Sequence, residues 1–217
     1  MQFLKLRCQP LDELLGGGLE IGSITEIYGE PGSGKTNFCL QASRECVLSG
    51  KKVGYITAGS ISSERLKQLC ENDDCRNIPS EVLFFNPSNY EEQEEILHEA
   101  LKIKNLGLLV LDSFNAFYRL MVEDDETYAN RSLNRQITEL QIAANENDIS
   151  VIIAGQVYSA ENDDVKPFGG RIIERMVKTI LKFEKIRTGN RQATIIKHPS
   201  QPIGNKTIFS ITAVGLE

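Results

Sequence analysis

The residues best suited to chemistry lie at positions 29–36, where the sequence reads GEPGSGKT. This stretch matches the phosphate-loop pattern G-x-x-x-x-G-K-[ST] at each fixed position. Glycines allow a tight turn whose backbone N–H groups point at phosphate oxygens, and the helix that follows adds the positive end of its dipole. The alternative is a glycine-rich turn that matches the pattern by chance. The residues predicted to bind a nucleoside triphosphate here are Gly29, Glu30, Pro31, Gly32, Ser33, Gly34, Lys35, Thr36 and Asn37.

Four side chains are predicted to act on the phosphates or the metal. Lys35 would reach the β- and γ-phosphates as a catalytic residue, and the Thr36 hydroxyl would bind Mg²⁺. Asp112 ends an apolar run and supplies a second Mg²⁺ anchor in the Walker B manner. Gln156 ends the next apolar run and is predicted to bond the γ-phosphate and to signal its presence to residues 157–170. The structural alternative for Asp112 is an aspartate that caps its strand. For Gln156 it is a solvated amide at the end of a strand.

The sheet of an α/β fold must position these side chains. Predicted helices alternate with fully apolar segments, a pattern that indicates parallel strands buried on both faces. The predicted strands are 24–28, 53–57, 82–85, 108–112 and 151–155, and the predicted helices are 37–49, 63–70, 88–101 and 128–145. After Gly170 the period changes, and three segments separated by turns predict an antiparallel C-terminal extension of the same sheet. The expected fold is therefore a mostly parallel central sheet with helices on both faces.

Composition favours a cytoplasmic globular protein. The chain has 217 residues, 41% hydrophobic and 25% charged, which suits a single domain over residues 1–217. No apolar run is long enough to span a membrane, and the N-terminus lacks the pattern of a signal peptide. The five cysteines form no C-x-x-C motif, so we expect reduced thiols, mostly in the core.

Charge is distributed unevenly along the chain. Between residues 171 and 206 nine Lys or Arg stand against two Glu, a net of +7 in a chain whose total is −6, so the remainder carries −13. Such asymmetry can mark a basic binding face on an acidic protein. The alternative is the solvated face of two β-hairpins.

An ordered set of motifs resembles the RecA-type recombinase core, and most closely the archaeal RadB family. The matching stretches are LDELLGGG at 11–18, YGEPGSGKT at 28–36, SERL at 63–66, LDS at 111–113, GQV at 155–157, GGR at 169–171, GNR at 189–191 and FSIT at 209–212. The resemblance covers nearly the whole chain and implies a RecA-like phosphate-loop ATPase core that takes ATP and Mg²⁺. It also implies that Arg65 stacks on adenine, the alternative being an ordinary helix-surface arginine.

Two loops of the family carry the implied DNA contacts. By resemblance they are residues 119–130 and 157–170, and both are rich in acidic residues here. Since phosphate binding needs Lys and Arg, DNA binding is expected to be electrostatic and to weaken steeply with salt. The residues predicted to bind DNA are Arg119, Arg131, Lys166, Arg171, Arg187 and Arg191.

The sequence departs from the family at a catalytic position. Family ATPases place a Glu just after the second strand to polarise the attacking water, and Gly59 stands at that register. Loss of a general base costs on the order of 100- to 10,000-fold in rate. We therefore expect normal ATP binding and at most a very weak, DNA-independent ATPase. Only 28 residues precede the loop, so we expect no room for the N-terminal helical DNA-binding domain and polymerisation linker of full-length recombinases. Assembly into a long filament is therefore not expected, and any self-association would be weak.

The resemblance favours an accessory protein of homologous recombination and DNA repair. It would bind ATP and single-stranded or branched DNA without exchanging strands itself. By resemblance its protein partners would be the main archaeal recombinase and a Holliday-junction nuclease. Two alternatives remain: an ATP-dependent signalling module of the KaiC type without a DNA role, and an active recombinase motor.

Overall fold

One large sheet organises the fold. The computed structural model describes residues 2–59, 63–69, 78–159, 165–186 and 189–217. Its main sheet has eight strands in the order β12-β11-β10-β3-β7-β6-β4-β5, and two-stranded sheets pair β1 with β2 and β8 with β9. The strands are β1 (Phe3–Leu4), β2 (Leu19–Glu20), β3 (Ile24–Gly29), β4 (Lys52–Thr57), β5 (Val82–Phe85), β6 (Leu106–Asp112), β7 (Ser150–Gly155), β8 (Val157–Ser159), β9 (Val165–Pro167), β10 (Thr179–Lys185), β11 (Arg191–Lys197) and β12 (Lys206–Phe209).

Helices cover both faces of this sheet. They are α1 (Gln9–Leu14), α2 (Lys35–Leu48), α3 (Ser63–Leu69), α4 (Ile78–Glu81), α5 (Tyr90–Ala100), α6 (Ala116–Asp124), α7 (Glu126–Asn147) and α8 (Gly170–Met176). The core forms two clusters, one with α1, α2 and α3 and the other with α5, α6, α7 and α8. Successive strand residues alternate between them: Val110 faces the first cluster and Leu111 the second. Because both faces are covered, the inner strands are apolar at most positions.

The strand directions match the prediction from sequence. Strands β10, β3, β7, β6, β4 and β5 are mutually parallel, whereas β11 and β12 continue the sheet antiparallel. The mostly parallel sheet with an antiparallel C-terminal extension is therefore confirmed. Sequence patterns did not predict α6, α8 or the β8–β9 hairpin, because these elements are short and only partly buried.

The sheet register brings the chemically important strand ends together. Thr57 pairs with Asp112, Asp112 pairs with Ala154, and Tyr28 pairs with Gly155. The carboxyl ends of β3, β4, β6 and β7 therefore lie along one edge, where ligands bind in open α/β sheets.

Two other predictions concern thiols and membranes. Cys8, Cys39 and Cys46 are free and buried, as expected, while Cys70 and Cys75 lie outside the described residues. Among the helices of the described ranges, none combines the length and the apolar composition that crossing a bilayer requires.

Candidate nucleotide and nucleic-acid sites

The phosphate loop joins β3 to α2 at the middle of the sheet. Gly32 and Gly34 have φ of 77° and 106°, in the left-handed region that favours glycine. Gly29 is required for a different reason, since a Cβ there would lie 2.1 Å from the carbonyl oxygen of Phe183 on β10. The Ser33 hydroxyl is buried and has no hydrogen-bond partner among the described residues. An unpaired buried hydroxyl in a loop of glycines suits a site that receives a polar ligand.

Lys35 lies against the loop that it follows. Its ammonium group donates to the carbonyl oxygens of Gly29 at 2.6 Å and Glu30 at 3.0 Å. Burial lowers the pKa of Lys35, and the nearby carboxylate of Asp112 acts in the opposite direction. A partly desolvated ammonium whose hydrogen bonds within the described residues go to carbonyl oxygens is well placed to bind a polyphosphate, which would supply full negative charge.

The two predicted Mg²⁺ anchors meet. The Thr36 hydroxyl donates to Asp112 Oδ2 at 2.7 Å, although the two residues are 76 positions apart in sequence. Mg²⁺ usually takes one or two protein oxygens and completes its shell with water and substrate phosphates. Within the described ranges no group of three or more His, Cys, Asp or Glu could hold a metal ion. This pair of oxygens beside the phosphate loop therefore fits Mg²⁺ bound together with a nucleotide.

Tyr55 orients the aspartate, and sequence analysis missed it. Its hydroxyl donates to Asp112 Oδ2 at 3.1 Å from the neighbouring strand β4. Burial raises the pKa of Tyr55 well above its ordinary value, so the phenol stays protonated and can donate. The signal in the sequence is a tyrosine among the apolar residues of β4, which has no unique interpretation.

Arg65, the residue predicted to stack on adenine, is held beside the first turn of α2 by several hydrogen bonds. Its Nε donates to Asn37 Oδ1 at 2.9 Å, in the first turn of α2. Its terminal nitrogens donate to the carbonyl oxygens of Thr212 at 2.6 Å and Ala213 at 3.1 Å. These contacts fix the plane of the guanidinium beside the phosphate-loop helix.

Gln156 is fixed through its backbone by a buried asparagine. Asn115 Oδ1 accepts from the Gln156 N–H at 2.7 Å, and Asn115 Nδ2 donates to the carbonyl oxygens of Gln156 and Phe168 at 3.0 Å each. Asn115 is fully buried, and sequence analysis missed it. One side chain thus joins the end of β7 to both sides of the β8–β9 hairpin.

Gly59, which sequence analysis predicted to stand at the family's carboxylate position, follows β4 by two residues. A Cβ built at Gly59 meets no heavy atom of the described residues within 4 Å. Its N–H donates to the Thr57 hydroxyl at 3.2 Å. The side chain of Glu64, another carboxylate nearby in sequence, lies outside the described part of the chain.

The predicted DNA-binding residues fall in three places. Arg119 stacks over the Phe168 ring at 5.6 Å, and Tyr158 packs on the same ring at 5.1 Å. Lys166 and Arg171 are exposed at the rim of the adjoining cleft, which measures about 630 Å³. The other three are Arg131, exposed on α7; Arg187, outside the described residues; and Arg191, whose Nε donates to the Gly32 carbonyl of the phosphate loop at 2.9 Å.

The fold and the site define the class as a RecA-type phosphate-loop protein. The chain matches the Rad51 family over residues 3–217. It is 44% identical to the DNA repair and recombination protein RadB of Methanococcoides burtonii, with 96% of this chain and 95% of that protein covered. It is 38% identical to the RadB protein of Thermoplasma acidophilum, with 95% and 90% covered. A crystal structure of the RadB recombinase superposes with a TM-score of 0.87 at 34% identity, covering 99% of both chains. The chain therefore belongs to the Rad51 family and, within it, to the RadB proteins.

Proposed function

We propose that this protein binds ATP and Mg²⁺ and acts as a DNA-binding accessory factor in homologous recombination and DNA repair. It hydrolyses ATP very slowly and does not exchange strands itself. The observation that carries the proposal is the 2.7 Å contact between the Thr36 hydroxyl and Asp112 at the mouth of the glycine loop. Its similarity to the RadB proteins of DNA repair and recombination supports the cellular role.

ATP would be held by groups on both sides of this contact. The backbone N–H groups at the start of α2 would bind the phosphates, together with the Lys35 ammonium. Thr36 and Asp112 would hold Mg²⁺, with Tyr55 keeping the carboxylate oriented. Arg65 would present its guanidinium plane to adenine. Bound ATP would supply the phosphoanhydride bond that is cleaved, and Mg²⁺ would neutralise the negative charge on the phosphate oxygens.

Slow hydrolysis follows from Gly59. A phosphoryl-transfer site needs a group that orients the attacking water, and glycine has no side chain to do so. The space around Gly59 supports this view, since no atom of the described residues lies within 4 Å of its Cβ position. ATP would then persist on the protein as a structural ligand.

A bound γ-phosphate would be sensed at the end of β7. The Gln156 side chain would contact it, and Asn115 already links the Gln156 backbone to Phe168 on the far side of the hairpin. A shift of Gln156 would therefore move β8 and β9 together, carrying Tyr158 and Lys166. ATP would act as a switch for the DNA-facing hairpin.

DNA binding would use the surface around this hairpin. Arg119, Lys166 and Arg171 supply positive charge there, and the exposed ring of Tyr158 offers a surface on which a base can stack. Nearby carboxylates such as Glu126 oppose the charge, which limits affinity. We propose single-stranded or branched DNA as ligand, the main archaeal recombinase and a Holliday-junction nuclease as partners, and the cytoplasm as location.

A DNA titration with and without ATP tests the proposal. Affinity for a fluorescent single-stranded oligonucleotide is measured at low salt for the wild type and for Lys35→Ala. ATP should change the affinity and the protease sensitivity of the 157–170 segment in the wild type but not in the variant. If ATP changes neither quantity in the wild type, the switch is wrong; if DNA is not bound at low salt, the DNA role is wrong.

A further inference from the structure

The hairpin of β10 and β11 contacts the phosphate loop. Arg191 Nε donates to the carbonyl oxygen of Gly32 at 2.9 Å. The Nη1 of the same side chain donates to the carbonyl oxygens of Gly189 at 2.6 Å and Asn190 at 3.1 Å in the hairpin turn. One guanidinium therefore joins the turn of the hairpin to the apex of the loop.

This contact fixes the orientation of one peptide unit. The N–H of Ser33, in the same planar unit as the Gly32 carbonyl, donates to the carbonyl oxygen of Glu30 at 3.1 Å. With both of its polar groups bonded, the unit cannot rotate without losing a hydrogen bond. Gly32 needs such restraint, because glycine populates positive and negative φ about equally. The donors that would bind phosphate, at the start of α2, follow this unit directly.

Positive charge accumulates around the same contact. Lys185 pairs directly with Arg191 across the hairpin, and like charges at such positions repel. A Cβ on Gly32 would lie 3.0 Å from Lys185 Nζ, so the Lys185 ammonium is also close to the phosphate loop. After burial, Lys185 is among the causes that lower the pKa of Lys35. A bound polyphosphate would relieve this repulsion.

We propose that Arg191 is a positioning residue of the nucleotide site: through the Gly32 carbonyl it holds the phosphate loop in its anion-binding form, which makes ATP affinity depend on the β10–β11 hairpin. This inference rests on the proposed binding of ATP at the loop. It gives Arg191 a role in the nucleotide site, separate from the DNA contact that its charge suggested.

Two substitutions separate hydrogen bonding from charge. Arg191→Gln places an amide nitrogen the same number of bonds from Cα as Arg Nε, so the bond to Gly32 can be kept without the charge. Arg191→Met has a side chain as long as that of Gln and removes both the hydrogen bond and the charge. Isothermal titration with a non-hydrolysable ATP analogue and Mg²⁺ measures the affinity. We expect roughly 10-fold weaker binding for Arg191→Met, the effect of losing one charge-assisted hydrogen bond, and no more than about 3-fold for Arg191→Gln.

Control variants make the result decisive. Lys206→Ala removes an exposed charge from the same sheet and should leave the affinity unchanged. Lys35→Ala should abolish binding; if it does not, the proposed ATP site itself is wrong, whatever Arg191 does. Equal losses in the Gln and Met variants would show that only charge matters and would overturn the positioning role, as would wild-type affinity in both.

Hydrogen exchange distinguishes positioning from a general structural defect. In the Met variant without nucleotide, amides of the 29–38 segment should exchange faster than in the wild type, and those of β6 and β7 should not. Faster exchange throughout the sheet would mean that Arg191 supports the fold as a whole, and the proposal would fail.

Discussion

Gly59→Glu should convert this protein into a faster ATPase. The new side chain would place a carboxylate at the register where family ATPases polarise the attacking water. The described part of the chain accommodates it, since a Cβ at Gly59 meets none of its atoms within 4 Å and the Gly59 backbone lies outside the left-handed region. The N–H bond to the Thr57 hydroxyl does not depend on a side chain and should persist.

The expected increase in hydrolysis rate is the gain from a general base reduced by the rotamer freedom that the new side chain loses. A well-placed general base contributes on the order of 100- to 10,000-fold in rate. An exposed Glu must give up about 1.5–2 kcal/mol of rotamer freedom to act, which removes roughly a factor of 10 to 30. We therefore expect single-turnover hydrolysis about 3- to 1,000-fold faster than in the wild type.

The assay is single-turnover hydrolysis of radiolabelled ATP with Mg²⁺ and excess protein. Gly59→Gln is the matched control, because it has the same size without a carboxylate and should stay near the wild-type rate. Gly59→Glu with Lys35→Ala should be inactive, which shows that any gain comes from this site. If the Glu and Gln variants bind ATP normally and hydrolyse it equally slowly, the absent carboxylate does not limit the rate.

Three further predictions test the residues around the site. Tyr55→Phe removes the hydroxyl that orients Asp112 and should weaken Mg²⁺-dependent ATP binding roughly 10-fold, measured by Mg²⁺ titration; unchanged Mg²⁺ dependence would contradict this role. Asn115→Ala leaves buried backbone groups without their partner and should lower the free energy of unfolding by about 2–4 kcal/mol in urea, with faster proteolysis of the β8–β9 hairpin; an effect below 1 kcal/mol would contradict it. Burial, with Glu174 nearby, raises the pKa of Glu26 from 4.5 to about 8. The folded state then binds a proton that the unfolded state has lost, so the free energy of unfolding should fall by about 1.4 kcal/mol per pH unit between these values. Glu26→Gln should flatten that slope in urea melts at pH 5.5 to 8; an identical slope in both proteins would contradict the shift.

Sequence patterns predicted the main sheet because its inner strands carry their own signal. The runs ending at Asp112 and Gly155 are apolar on both faces, and only buried parallel strands need that pattern. Short elements escaped prediction for the opposite reason. The β8 and β9 strands have three residues each, too few to show a period, and they are held by Asn115 rather than by a buried face.

The residues of the candidate site also divide into those that a local pattern predicted and those that only the structure revealed. Lys35 and Thr36 belong to a contiguous motif whose spacing already states its chemistry. Tyr55 and Asn115 belong to no motif, and each acts on a residue 41 or more positions away. Their roles became visible only when β4 was placed beside β6 and α6 beside the end of β7.

By itself, the sequence determined the phosphate-loop motif, the apolar strands and the carboxylate at the end of β6. These features are local, since they depend on residue types within a few positions of one another. Tertiary structure alone decided that Thr36 meets Asp112, that Asn115 ties Gln156 to the hairpin, and that Arg191 bonds Gly32 across 159 positions. Such contacts depend on strand order and register, which arise from packing the whole sheet and cannot be deduced from any one segment.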